Sequence, residues 1–242
     1  MEKVAVVTGS AKGLGRAIAI ALSKQGYTLV ICYNKSRQEA IKVLDEVKLK
    51  SGRSIAVPAD LKDEAQVGRM FKEIFKSFRR IDLLVNNVGN FLYKKFSETT
   101  AEEFRNIIES NLYSSFYCCR AVLPVMRKQK SGQIINIGAV GAERVNLLEK
   151  STPYFFAKTG VYLLTKIMAF EEARYAIRIN MVSPGSLSTD IFKDSDFPTG
   201  RSATYEDVVK VLLFLISPDA YYINGGNIEV AGGFIPGLGK SK

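Results

Sequence analysis

Histidine is absent from the 242 residues of this chain, and that absence removes several reaction classes. A Ser/His/Asp hydrolase, a Cys/His protease and the usual histidine-liganded zinc site all need an imidazole. Acid and base work must fall to Tyr, Lys, Asp or Glu, and no metal site is expected. Cysteine is scarce: Cys32, Cys118 and Cys119 show no metal or redox spacing and read as small apolar core residues in a reducing compartment. Long apolar runs are lacking as well, because charges interrupt them, and the N-terminus enters a strand pattern almost at once. Neither a membrane span nor a signal peptide is evident, so the protein is expected to be soluble and cytoplasmic, with no membrane partner. No Pro/Gly/Ser-rich linker divides the chain, and 47% hydrophobic residues suffice for one large core. One domain over residues 1–242 follows. The formal net charge of +10 invites anionic partners, yet the basic residues are spread along the chain instead of gathered with aromatics, so nucleic acid is not expected.

What is present alternates between two periods. Lys3 to Thr8, Thr28 to Tyr33, Ser54 to Ala59, Ile81 to Val85, Gln133 to Ile137, Ile177 to Val182 and Gly226 to Val230 are short apolar runs of the kind found in strands buried on both faces. Between them lie helical patterns from Ala17, over Gln38 to Lys50, Glu64 to Phe78, Thr100 to Gln129, Tyr154 to Tyr175 and Tyr205 to Ile216. Strands alternating with helices from end to end predict an α/β fold, a doubly wound parallel sheet of about seven strands with its ligands at the strand carboxyl ends. The polar stretch Ser186 to Ser202 reads as a mobile lid over a substrate, and Ala231 to Gly239 as an apolar, glycine-rich tail.

The first strand runs into Gly9-Ser10-Ala11-Lys12-Gly13-Leu14-Gly15 and then a helix. Strand, glycine turn and helix N-terminus together present backbone N–H groups to a pyrophosphate, and the glycines permit close approach. The second strand ends at Asn34-Lys35-Ser36-Arg37, where an NAD enzyme usually places a carboxylate for the ribose 2′-hydroxyl. None stands there. Lys35, Arg37 and Lys12 suit a 2′-phosphate instead, which favours NADP(H) over NAD(H); the other reading is that these charges only solvate a helix start. Asp60, before Leu61 at the end of the third strand, has two readings, an acceptor for an adenine amine or a cap for the helix starting near Asp63. Asn86-Asn87-Val88-Gly89 after the fourth strand can brace a turn that faces the cofactor. Asn111 lies mid-helix, where it must bond a helix carbonyl or hold a water to offset its burial.

Tyr154 and Lys158 stand at i and i+4 near the start of a helix that follows the fifth strand. A buried ammonium beside a phenol favours the ionised phenol, and so moves a group with a reference pKa near ~10 toward working pH. A second pair at this spacing, Tyr162 and Lys166, lies two turns further along and reads as core and surface. Thr152-Pro153 marks Tyr154 as the residue near the helix N-terminus, at the mouth of the sheet.

Taken together, Thr8 to Gly15, Asp60, Asn86 to Gly89, Asn111, Tyr154 to Lys158 and Ser183-Pro184-Gly185 make the chain resemble a short-chain dehydrogenase/reductase over essentially its whole length. Within that family it is most similar to the 3-oxoacyl-[acyl-carrier-protein] reductase group, whose ending resembles Tyr222 to Gly226 and Val230 to Gly233 here. The resemblance implies a Rossmann-type fold and reduction of a small-molecule carbonyl, on a carrier protein in the reductase group. Tyr154 would give a proton to the carbonyl as NADPH delivers hydride, Lys158 would lower the tyrosine pKa and hold the nicotinamide ribose, and Asn111 would anchor a relay water. Cofactor contacts carry over to Gly9, Ser10, Lys12, Gly13, Leu14, Gly15, Asn34, Lys35, Asp60, Leu61, Asn87, Gly89, Pro184 and Gly185. A homotetramer packed through the Thr100 to Gln129 and Tyr154 to Tyr175 helices is implied, with Lys130 and Arg174 near the entrance to meet an acidic carrier.

One position departs. Where the family carries a serine, some thirteen residues before the tyrosine, this chain has Ala139 in Ile137-Gly138-Ala139-Val140-Gly141, and the loop to Tyr154 is about two residues longer. Ser151 or Thr152, at the end of that loop, either replaces the hydroxyl or caps the helix. Two other functions stay open: reduction of a pterin-like ring, and a non-enzymatic NADP(H)-binding scaffold or sensor.

Overall fold

A computed structural model describes residues 2–50, 52–144, 149–187 and 193–235. Seven strands, β1 (Lys3–Val7), β2 (Tyr27–Tyr33), β3 (Ile55–Pro58), β4 (Leu83–Asn86), β5 (Gly132–Ile137), β6 (Ile177–Pro184) and β7 (Asn227–Val230), form one parallel sheet in the order β3-β2-β1-β4-β5-β6-β7. The expected doubly wound sheet is therefore the observed one. The chain builds outward from β1 toward β3, then returns to the other side of β1 with β4. That reversal opens a crevice at the carboxyl ends of β1 and β4.

Period-two alternation distributes the strand side chains between two helix layers. Val4 and Val6 of β1 join the core under α3 (Glu64–Ser77), α5 (Ser114–Gln129) and α6 (Thr152–Glu172), whereas Ala5 and Val7 join the core under α1 (Gly13–Lys24), α2 (Arg37–Lys48) and α7 (Tyr205–Ile216). All three cysteines are buried in the first of these cores, and burial pushes the Cys32 and Cys119 thiols up to about 12, so they are inert apolar filler as expected.

The segment expected to be one helix over Thr100 to Gln129 is not continuous. α4 (Ala101–Ile108), started by a capping box between Thr100 and Glu103, passes into a π-helical turn at Glu109–Tyr113 before α5 begins. Side chains that bond backward cause the widening. Ser114 and Ser115 hydroxyls donate to the carbonyls of Ser110 (2.7 Å) and Asn111 (2.9 Å), and Asn111 Nδ2 donates to Ile107 O at 3.0 Å.

Lys130, in the left-handed region (φ 50°), ends α5 just before β5, and Arg174 lies in the short 3-10 turn before β6. Both therefore sit at the amino end of the sheet, opposite the crevice. Within one chain they do not border the site entrance, contrary to the expectation, because in a parallel sheet every helix-to-strand turn falls at that end. Among the described residues, no helix is long and apolar enough to cross a membrane, and no group of His, Cys, Asp or Glu is arranged to hold a metal.

Candidate active site

The crevice begins at the glycine turn. Gly9 and Gly13 take positive φ values of +62° and +54°, and a Cβ on Gly15 would meet Asn87 Nδ2 at 2.6 Å and Gly9 O closer still. Only glycine allows α1 to start this near β1. Ser10 is fully buried, with its hydroxyl donating to Val7 O at 2.7 Å and its N–H to Cys32 O at 3.0 Å, so it braces the turn from within. Asn87 knits the turn after β4 to the same place: its N–H donates to Thr8 Oγ1 (2.8 Å) and its amide to Thr8 O (3.0 Å). α1, like α2 and α6, has no side-chain cap, and it has no acidic residue in its first turn. Its N–H groups and dipole remain available for an anion, which fits a pyrophosphate.

At the outer end of the crevice, Asn34, Asp60 and Leu61 border a cleft of about 200 Å³ with Gly9 and Tyr33. The helix-capping reading of Asp60 goes to its neighbour instead: Asp63 accepts from the N–H groups of Ala65 (2.8 Å) and Gln66 (3.1 Å), while Asp60 accepts from Lys62 N. Lys35 and Arg37 are exposed. Lys12 is paired with Glu39 at 2.9 Å, a carboxylate the strand-end rule overlooked because it stands inside the first turn of α2.

At the inner end is a cavity of about 300 Å³ beyond β4, β5 and β6. Leu14, Asn87, Gly89, Pro184 and Gly185 of the expected cofactor set line it together with Tyr154 and Lys158. Its other walls are mostly apolar: Phe91, Ile137, Ala139, Val140, Phe155, Leu187 and Phe234. Phe91 packs edge-on to the Tyr154 ring at 4.9 Å. Phe234 from the tail and Phe197 from the expected lid pack with tilted rings at 5.0 Å and are buried with Val140, so this part of the segment is anchored. Residues 188–192 of the lid and 236–239 of the tail lie outside the described residues.

Lys158 is 4% exposed and donates to Ile137 O at 2.8 Å, with its ammonium 5.6 Å from the Tyr154 ring centroid. Burial lowers its pKa to about 8. The phenol responds opposite to the expected lowering: burial pushes Tyr154 up to about 12. The ammonium is committed to a carbonyl instead of the phenol oxygen, so desolvation prevails. Asn111 is fully buried; its amide donates to Asn90 O (2.9 Å) and Ile107 O, but Oδ1 has no protein partner. That oxygen points at Gly89, where an added Cβ would also meet Lys158 Nζ at 3.4 Å.

Neither reading of Ser151 fits. It is the N-cap residue of α6 but makes no side-chain cap bond, its hydroxyl is buried without a partner, and it does not line the cavity. Thr152, half-buried in the first turn, does not line it either. The wall at Ala139 carries a methyl group, and Ser186 also borders the cavity. Phe91, Phe234 and Ser186 escaped the sequence reading because each comes from a loop with no periodic signal, and Glu39 because it stands inside a helix and not at the strand end.

Comparison with known proteins agrees with this geometry. The family model described as enoyl-(acyl carrier protein) reductase matches residues 9–235. The 3-oxoacyl-[acyl-carrier-protein] reductases of Staphylococcus aureus strains and of Synechocystis are each 35% identical, the former over 96% of this chain and 98% of the relative, the latter over 96% and 97%. A 1,6-dihydroxycyclohexa-2,4-diene-1-carboxylate dehydrogenase of Acinetobacter baylyi is 32% identical over 96% of both chains. Among solved structures, acetoin dehydrogenase from Salmonella typhimurium superposes with a TM-score of 0.91 at 27% identity, covering 100% of this chain and 98% of that one. Glycine turn, Tyr154–Lys158 pair and parallel sheet thus coincide with whole-length similarity, and the chain belongs to the short-chain dehydrogenase/reductase family.

Proposed function

We propose that this oxidoreductase reduces a carbonyl to a hydroxyl with NADPH, with a 3-oxoacyl thioester as the first substrate class to try. One observation carries the reading: the half-buried Tyr154 phenol, held protonated by desolvation, and the buried Lys158 ammonium line one cavity with Leu14 of the helix that follows the glycine turn. Gly9, Gly13, Gly15 and the start of α1 would hold the pyrophosphate, and Lys12, Lys35 and Arg37 the 2′-phosphate. When bound, the nicotinamide supplies hydride.

Tyr154 remains neutral at physiological pH and so has a proton to give to a carbonyl oxygen that gains charge. Lys158, charged below about pH 8, stabilises the phenolate left behind. Asn111 Oδ1 offers the acceptor that a water against Lys158 requires for a proton relay. Ala139, at the family's serine position, offers no hydrogen bond to the oxyanion, a loss worth ~10²–10³ in rate. A substrate whose carbonyl is already polarised, such as a 3-oxoacyl thioester, tolerates that loss better than a simple ketone.

Phe156, Leu163, Ile167 and Phe170 of α6 are 65%, 53%, 56% and 86% exposed along one face, beside the exposed Tyr113 and Phe116 of the neighbouring segment. Such an apolar stripe supports packing against further copies in a tetramer; analytical ultracentrifugation giving a monomer would refute it.

The activity test follows NADPH oxidation with an acetoacetyl thioester, a quinonoid dihydropterin and a simple ketone. Turnover of the thioester supports the proposal. Turnover of the dihydropterin alone would favour the pterin reading, and tight NADPH binding without turnover of any would favour the scaffold.

A further inference from the structure

Among the described residues, Glu39 is the carboxylate paired with one of the basic groups expected to meet a 2′-phosphate. It stands in the first turn of α2 and holds Lys12 Nζ at 2.9 Å, reaching from the helix after β2 to the turn that opens α1. Its carboxyl lies below the usual range, first because of the hydrogen bond from Lys12 and in smaller part because of Lys42 nearby, so it is ionised wherever the enzyme would work. The two side chains are 62% and 41% exposed. An exposed pair of this kind is weak and exchanges readily. Around it Lys35 and Arg37 are exposed on the same turn.

We propose that Glu39 sets the discrimination between phosphorylated and unphosphorylated dinucleotides by competing for Lys12. A 2′-phosphate and the Glu39 carboxylate are both anions that require the same ammonium. Binding of the phosphate therefore displaces Glu39 and leaves it facing a like charge. A ribose 2′-hydroxyl makes no such demand, since Lys12 stays with Glu39. Glu39 thus lowers affinity for the phosphorylated cofactor while leaving the other untouched, which narrows a preference that three cations alone would make wide. The inference rests on the NADPH reading above.

The test measures binding, not turnover. Calorimetric titration of the full-length protein with adenosine 2′,5′-bisphosphate and with AMP compares wild type, Glu39→Gln, Lys12→Gln and the double variant. Glu39→Gln should tighten the bisphosphate about two- to fivefold, the range an exposed ion pair commands, and leave AMP unchanged. The gain should vanish in the Lys12→Gln background. An unchanged bisphosphate affinity in Glu39→Gln, or a gain that persists without Lys12, overturns the inference. A fall in AMP affinity with no gain for the bisphosphate also overturns it and assigns Glu39 to the ribose hydroxyl. If wild type binds the two fragments equally, the NADPH reading fails; the competition by Glu39 still stands or falls on the variants alone.

Discussion

Helix α6 carries two Tyr–Lys pairs of the same spacing, and their local geometry is nearly identical. The ammonium lies 5.6 Å from the ring centroid in Tyr154–Lys158 and 5.8 Å in Tyr162–Lys166. Their surroundings differ. Lys158 is buried at 4% exposure and bound to Ile137 O, whereas Lys166 is exposed and Tyr162 packs against Ala142, Val161 and Met181. The i to i+4 relation makes the contact; nearness to the carboxyl end of β5 decides whether the pair is desolvated and borders the cavity. About two helical turns, roughly 12 Å at ~1.5 Å per residue, separate a desolvated pair from one whose lysine is in solvent.

The largest expected break in this comparison is in rate. Tyr154→Phe should lower kcat by about 10²–10⁴ with NADPH affinity unchanged, while Tyr162→Phe leaves kcat alone. Steady-state kinetics and a fluorescence titration of NADPH check both, and equal losses in the two variants would dissolve the distinction.

The lysines should differ next, in stability and pH dependence. Folding lowers Lys158 from 10.5 to about 8. Below about pH 8 the folded state bears the full burden of a buried ammonium, and between about 8 and 10.5 it sheds its proton before the unfolded chain does. This group's contribution therefore makes stability rise with pH across that window. A shift of this size corresponds to roughly 3 kcal/mol. Lys158→Met should raise Tm at pH 7 and flatten that rise, abolishing activity as it does so, whereas Lys166→Met should leave Tm unchanged. In the wild type, kcat/KM should fall above about pH 8 as Lys158 loses its charge; a profile flat to pH 10 would contradict this.

The smallest effect tests the wall facing the inner pair. Ala139→Ser adds a hydroxyl to the cavity and should raise kcat for a simple ketone on the order of tenfold, below the full worth of an oxyanion donor. The same change made in Tyr154→Phe should gain less, because the two donors act on one oxygen. A loss of rate would show that the wall at Ala139 is needed apolar.

Several parts could be read from residue order because they depend on near neighbours. The strands show in their apolar runs, α1 in the glycine turn that precedes it, and the turn after β4 in Asn87, whose N–H and side-chain amide both donate to Thr8. Reading stops where side-chain bonds choose between near neighbours, or where a separate element intervenes. Asp63 took the cap that Asp60 was offered, the hydroxyls of Ser114 and Ser115 widened a helix that its periodicity drew as straight, and Glu39 neutralised a lysine from another element. Lys130 and Arg174 were placed at the entrance although each precedes a parallel strand and so belongs to the far end of the sheet.

By itself the sequence determined the alternation of strand and helix, the absence of imidazole chemistry and the pairing of Tyr154 with Lys158, all of which follow from local spacing and composition. Only the tertiary structure decided the electrostatics of that pair. Burial among Phe91, Phe155 and the strand ends drives the phenol up to about 12 and the ammonium down to about 8. Desolvation depends on every segment that closes over a group, and those segments are gathered from the whole length of the chain.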